Sequence, residues 1–250
     1  MDYFQREAFG ASRWSYDSLK NFAPLNARVQ NHLKKVYLTL CLAVAASAAG
    51  AYLHLLLNIG GVLTTLGCVL SIAWLLATPP YEERKRFGIL MASSLLQGAT
   101  IGPLKGVLNM FFLPRPNHRI LLTAFVGTAL AFGCFSAAAV VARRRQYLFL
   151  GGLLSSGLSI LLWLQFASSI FGASTAAFNV EIYFGLLIFL GYMVFDTQLI
   201  IERAYHGELD HVRDALNLYV DLVGVFVRVL VVMVKNAAEK EERKRKKRSS

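Results

Sequence analysis

The chain has 250 residues, 56% of them hydrophobic and 16% charged, with a mean hydropathy of +0.49. An average soluble domain carries roughly a quarter charged residues and a smaller apolar fraction, so composition excludes a soluble enzyme folded around a hydrophobic core. The net charge of +11 is read as membrane topology, and no nucleic-acid partner is expected.

The first 35 or so residues are polar and include Arg6, Arg13, Lys20, Arg28, Lys34 and Lys35. That stretch is too long and too charged for the leading region of a cleaved signal peptide, so the first span is expected to be retained as an anchor. Residues 36–58 and 120–142 each lack Lys, Arg, Asp and Glu, and each supplies the ~20 apolar residues needed to span a hydrocarbon core of ~30 Å. Further apolar runs lie at about 60–77, 87–102, 147–171, 176–201 and 215–234. The expected fold is an all-α polytopic membrane protein that crosses the bilayer six or seven times. Its parts are a cytosolic N-terminal segment (1–35), a membrane domain (36–234) and a basic C-terminal tail (235–250). Cys41, Cys68 and Cys134 all fall inside apolar runs and are expected to be buried thiols, with neither disulfide nor zinc spacing. Small residues four apart, Gly98 with Gly102 and Gly151 with Ser155 and Ser159, fit close helix packing.

Short loops rich in Lys and Arg stay in the cytosol. The N-terminal segment, the connection at 82–86 and that at 143–145 are basic, whereas those near 59–61 and 172–175 carry no charge. The basic ones are therefore assigned to the cytosol. One exception is the long connection with Lys105, Arg115 and Arg119, interrupted by Pro103, Pro114 and Pro116. The tail is another: a seventh full span puts Lys240 to Arg248 on the far side. A re-entrant last segment, tolerated where protein or water covers the backbone, keeps that tail cytosolic, and the positive-inside bias favours it.

The informative residues are charges where hydrocarbon should be, because each costs ~2.5–3.5 kcal/mol at a helix centre even on the mildest scale. Asp196 lies near the end of the sixth run and Asp221 near the start of the last. The polar loop between them makes the two helices antiparallel neighbours, and at 1.5 Å per residue both carboxylates sit roughly 8–10 Å in from the same surface. On the last segment Asp214, Asn217, Asp221, Gly224, Arg228 and Lys235 follow spacings of 3, 4, 3, 4 and 7, one polar stripe that faces protein or water. Carboxylates at close range cannot both ionise cheaply, so a proton is shared and the titration belongs to the pair. Such a pair could act as a proton-controlled latch, or supply hard oxygen ligands to Ca²⁺. Glu181 and Lys105 are weaker candidates at the interfaces.

Three blocks carry a resemblance. Phe195-Asp196-Thr197-Gln198-Leu199-Ile200-Ile201-Glu202 runs into His206-Gly207-Glu208; Gln30-Asn31-His32-Leu33-Lys34-Lys35-Val36-Tyr37 precedes the first span; Ala142-Arg143-Arg144-Arg145-Gln146-Tyr147 runs on to Gly152. In this order they closely resemble the signatures of the Bax inhibitor-1 family, in its plant branch. The resemblance implies seven helices with one at the centre, an endoplasmic-reticulum location, suppression of programmed cell death and a Ca²⁺ leak. It puts the family's pH-sensing aspartate pair on Asp196 and Asp221. Bacterial relatives hold that pair with an arginine in the second span. Residues 60–77 contain no Arg or Lys, and Arg228, two turns from Asp221, is ~10 Å away. Plant members are described as binding calmodulin and cytochrome b5-type proteins; the basic tail suits calmodulin in charge but lacks apolar anchors of its own. No cofactor is implied beyond Ca²⁺ as a permeant or bound ion.

The reading is a non-enzymatic, pH-sensitive Ca²⁺ leak gated by Asp196 and Asp221, with Arg228, Asn217 and Glu181 as auxiliaries. Its rivals are a non-transporting scaffold that recruits partners or anionic lipid through the tail, and an intramembrane aspartyl protease. The latter requires a Gly-x-Gly-Asp element, whereas Met193-Val194-Phe195 precedes Asp196.

Overall fold

A backbone in hydrocarbon must satisfy its own N–H and C=O groups, which leaves the helix as the element available to these runs. The computed structural model describes residues 26–57, 61–111, 118–142, 147–172 and 175–249. Among them are helices α1 (Ala27–Leu57), α2 (Val62–Ala77), α3 (Glu83–Phe111), α4 (His118–Val141), α5 (Leu150–Phe171), α6 (Thr175–His206) and α7 (His211–Ser249), and no strand. Five of them, α1 and α4 to α7, are long and apolar enough to cross a membrane. The 16 residues of α2 make about 24 Å of helix, a few ångströms short, which local thinning of the bilayer can absorb. The segment 1–25 and the basic 143–145 connection lie outside the described residues, as does Arg115.

The bundle is centred on the last two helices. α7 packs against α1, α3, α4 and α6, and α6 against α1, α4, α5 and α7, while α2 leans chiefly on α3. The outer surface is apolar: Leu63, Leu66, Leu70 and Trp74 on α2, and Leu153, Trp163 and Phe166 on α5, are exposed, as a lipid-facing surface requires. Cys41 and Cys134 lie on this outside, and Cys68 is the buried thiol; an apolar run in a bundle has a lipid face as well as a core face, so occurrence in a run does not imply burial. Ser155 and Ser159 also correct an expectation. They are exposed and bond to carbonyls of their own helix, whereas Gly151 meets the Phe195 ring.

α1 starts nine residues before the first apolar run. Val29, Leu33, Val36 and Leu40 are all buried in the main core, a 4-3-4 spacing that gives the polar-looking segment a core face. Further along, α1 and α3 meet backbone to backbone. A Cβ on Gly50 would fall 1.9 Å from the Leu95 carbonyl oxygen, and one on Gly98 would fall 1.9 Å from that of Ser47.

The α6–α7 connection is a tight polar turn. Gly207, with φ of 90°, takes the left-handed conformation that ends a helix, and Glu208 N–H reaches back to the Arg203 carbonyl at 3.0 Å. Asp210 then caps α7, its Oδ1 accepting from Arg213 N–H at 3.1 Å. Beyond the turn, α7 is one unbroken helix of 39 residues, about 58 Å long. A re-entrant last segment is thereby overturned, since a straight rod does not return, and the basic tail lies at the opposite end of the bundle from the 207–210 turn. At the turn end, His32 bonds Asp214, Arg86 bonds Asp210, and Gln198 bonds the backbone at Tyr147. The starts of α1, α3, α5 and α7 therefore share one end, as the alternation of basic and bare connections requires.

Replacement of Gly98 by Val should cost about 2 kcal/mol or more, because the clash is with backbone. Gly133→Ala, where nothing lies within 4 Å, should be close to neutral. Thermal unfolding of the purified protein in detergent measures both.

Candidate functional site

The polar stripe of α7 faces α6, and together they form a ladder. At the turn end Arg203 Nη1 on α6 bonds Asp214 Oδ1 on α7 at 3.3 Å, and His32 Nε2 on α1 bonds Asp214 Oδ2 at 2.8 Å. Asp214 is 2% exposed, so both carboxylate oxygens are spoken for inside the protein. Beside it, Arg86 Nη1 on α3 bonds Asp210 Oδ2 at 2.6 Å, and His206 bonds Glu202 at 2.9 Å. Four helices are thus tied by hydrogen bonds and ion pairs at one level.

Two turns deeper come Asp196 and Asp221, each seven residues along its helix from the first rung. Asp221 is buried and Asp196 partly so. Their carboxyls are near neighbours that act on one another electrostatically, and Arg203 is the cation that acts on Asp196. Oδ2 of Asp221 is buried with no hydrogen-bond partner. Gln198, in the same signature, secures the neighbouring backbone: its Oε1 accepts from Tyr147 N–H at 2.8 Å and its Nε2 donates to the Ala139 carbonyl at 3.3 Å, satisfying groups at the end of α4 and the start of α5 that have no helical partner.

Past the carboxyl pair, Phe189 covers Gly224, and Arg228 lies over Gly185. The last rung joins Lys235 on α7 to Asn179 on α6. From Asp214 to Lys235 the ladder runs 21 residues, about 32 Å, which is the thickness of a hydrocarbon core.

The sequence-selected residues are brought together in part. Asp196 and Asp221 pair. Asn217 is half-buried on the same stripe, and Glu181, half-buried on α6, lies toward the other end with Arg228, which it affects electrostatically. Arg228 does not reach the carboxyl pair. The cation that does bear on it is Arg203, a residue sequence reading passed over; its signal was the seven-residue interval from Asp196, which puts the two on one face. Among the described residues no three His, Cys, Asp or Glu side chains converge to hold a metal ion.

The chain matches the family described as "Inhibitor of apoptosis-promoting Bax1" over residues 29–238, which spans all seven helices. It belongs to that family. Among its relatives, Bax inhibitor 1 of rice is 65% identical over 250 residues, covering 99% of this chain and 98% of the relative. Bax inhibitor 1 of Arabidopsis thaliana is 61% identical, covering 93% of this chain and 92% of its own. The human Bax inhibitor 1 is 40% identical, at 93% and 97% coverage. The greater likeness to the plant proteins makes this a plant-like member of the family, and its five long apolar helices make it a multi-pass membrane protein.

Removing one partner of a buried ion pair leaves an uncompensated charge, at a cost of about 3–5 kcal/mol. Asp214→Ala should lose stability toward the lower end of that scale, since it removes the ion pair of the partly exposed Arg203 and the hydrogen-bond partner of the buried His32. Glu82→Ala, which breaks only the exposed Lys85–Glu82 pair, should cost under about 1 kcal/mol. Denaturation in detergent distinguishes the two.

Proposed function

We propose that the protein suppresses programmed cell death from the endoplasmic-reticulum membrane, with its N-terminus cytosolic, by a pH-sensitive Ca²⁺ leak gated by Asp196 and Asp221. The observation that carries this reading is the carboxyl pair within the α6–α7 seam, where one buried oxygen has no partner. Holding one proton, the pair joins the two helices through a hydrogen bond. With both carboxyls ionised it repels itself and becomes an attractive stop for a hard divalent cation. Two carboxylates alone are too few oxygens for a resident Ca²⁺, which takes six to eight, so Ca²⁺ is treated as the ion in transit.

The test is Ca²⁺ efflux from liposomes containing the purified protein, across pH, for wild type, Asp196→Asn and Asp221→Asn. Both variants are expected to flatten the pH dependence and to change the rate about tenfold or more, as removal of a buried charge interaction worth over 1.4 kcal/mol implies. Unchanged flux and pH dependence in both would sink the gate. Survival of cells expressing Bax, with and without these variants, tests the link to cell death.

A second reading is a scaffold that recruits partners, calmodulin or cytochrome b5-type proteins among them, through its tail. In its favour, α7 continues as helix to Ser249 and holds Arg243, Lys244, Lys246 and Lys247 exposed. A chain ending at Asn236 that keeps Ca²⁺ efflux but loses protection of cells would favour it.

A further inference from the structure

Between the carboxyl pair and the tail end of the seam, one guanidinium occupies a place cut to its shape. A Cβ on Gly185 would stand 2.3 Å from Nε of Arg228 and 3.0 Å from its Cζ, so α6 offers a bare backbone patch where this side chain lies. The guanidinium carbon is 4.3 Å from the centre of the Phe189 ring, a cation–π distance. Phe189 in turn fits over Gly224, where a Cβ would stand 2.4 Å from the ring. One glycine from each helix thus makes the hollow, and one aromatic ring from α6 roofs it.

The charge in that hollow is held but not neutralised. Nη1 donates to the carbonyl of Gly224 on its own helix at 3.1 Å. Among the described residues no carboxylate lies within ion-pair distance, and Glu181 acts on it only from further away. A guanidinium has five N–H donors, so a single backbone acceptor leaves most of its charge facing the seam. Seven residues on, Lys235 adds a second positive charge, bonded to neutral Asn179 and 4.0 Å from the exposed Glu239. The carboxyl half of the seam is therefore followed by a half whose central charge, at Arg228, is positive and has no carboxylate within ion-pair distance among the described residues.

We propose that Arg228, seated between Gly185 and Phe189, is the plug that closes the tail half of the α6–α7 seam and sets its discrimination between divalent and monovalent cations. The proposal rests on the Ca²⁺-leak reading above. A fixed positive charge raises the barrier for a cation in proportion to that cation's charge, so it opposes Ca²⁺ twice as strongly as K⁺.

The experiment is parallel Ca²⁺ and K⁺ efflux from liposomes holding wild type, Arg228→Gln, Arg228→Lys or Gly185→Ala, with Asp196→Asn and Asp221→Asn alongside. Arg228→Gln should raise Ca²⁺ efflux about tenfold and K⁺ efflux roughly threefold, the square-root relation that halving the charge implies. Arg228→Lys should keep the wild-type ratio of the two ions. Well-folded Arg228→Gln that leaks Ca²⁺ at the wild-type rate, or that raises both ions equally, overturns the plug. If Arg228→Gln does not fold, Gly185→Ala decides: filling the hollow should unseat the guanidinium and raise Ca²⁺ efflux, and an unchanged rate overturns the proposal. A response to the Asp variants with none to Arg228→Gln removes the plug and leaves the gate. The reverse pattern removes the gate and leaves the plug, and silence from every variant removes both.

Discussion

Hydrocarbon does not accept an unpartnered charge, and one face of α7 carries four charged residues, Asp214, Asp221, Arg228 and Lys235, each seven residues from the next. Seven residues are nearly two full turns, so all four emerge on one side, and that side has to be covered by protein. The rest of the architecture follows from this. α6 lies along the stripe and answers it with Arg203, Asp196, Gly185 and Asn179, in an order fixed by the tight Gly207–Asp210 turn. α1, α3 and α4 then close round the pair, while α2 and α5, which have no such charge to hide, remain at the lipid surface.

Two kinds of contact hold the enclosure, and they differ in character. At the turn end the joints are electrostatic, with Arg86 and Asp214 buried and their partners Asp210 and Arg203 partly exposed. In the body of the bundle they are steric, with Gly50 and Gly98 letting α1 and α3 approach at the level of backbone. Neither needs a large apolar driving force, which a bilayer does not supply between helices. The ion pairs fix which ends belong together, and the glycines fix how near the shafts lie.

Much of this was legible in the sequence. The apolar runs locate the helices, and depth plus spacing put Asp196 and Asp221 at one level. Two of the contacts that escape the sequence do so because the partner lies far away in the chain. His32 and Asp214 are 182 residues apart, and Arg86 and Asp210 are 124 apart. Each of the four looks like an ordinary loop or helix-end charge until the fold joins them. α1 was placed late because its first turns are covered in Gln, Asn and Lys, which hid the Val29, Leu33 and Val36 stripe beneath. The last segment looked ambiguous because its charges were weighed against lipid, whereas their surroundings are α6.

The order of signs along α7 also has an electrical meaning. From the turn to the tail it reads minus, minus, plus, plus, so with every group ionised the stripe is neutral in sum but strongly dipolar. A membrane potential does about 2.3 kcal/mol of work per 100 mV on each elementary charge carried across. Sliding a stripe of zero net charge along that field costs nothing electrically. Once a proton rests on Asp221 the stripe bears one net positive charge, and the same slide acquires a voltage dependence. A proton on Asp221 therefore changes the net charge of the stripe by one, and with it the electrical work of moving that stripe through the field.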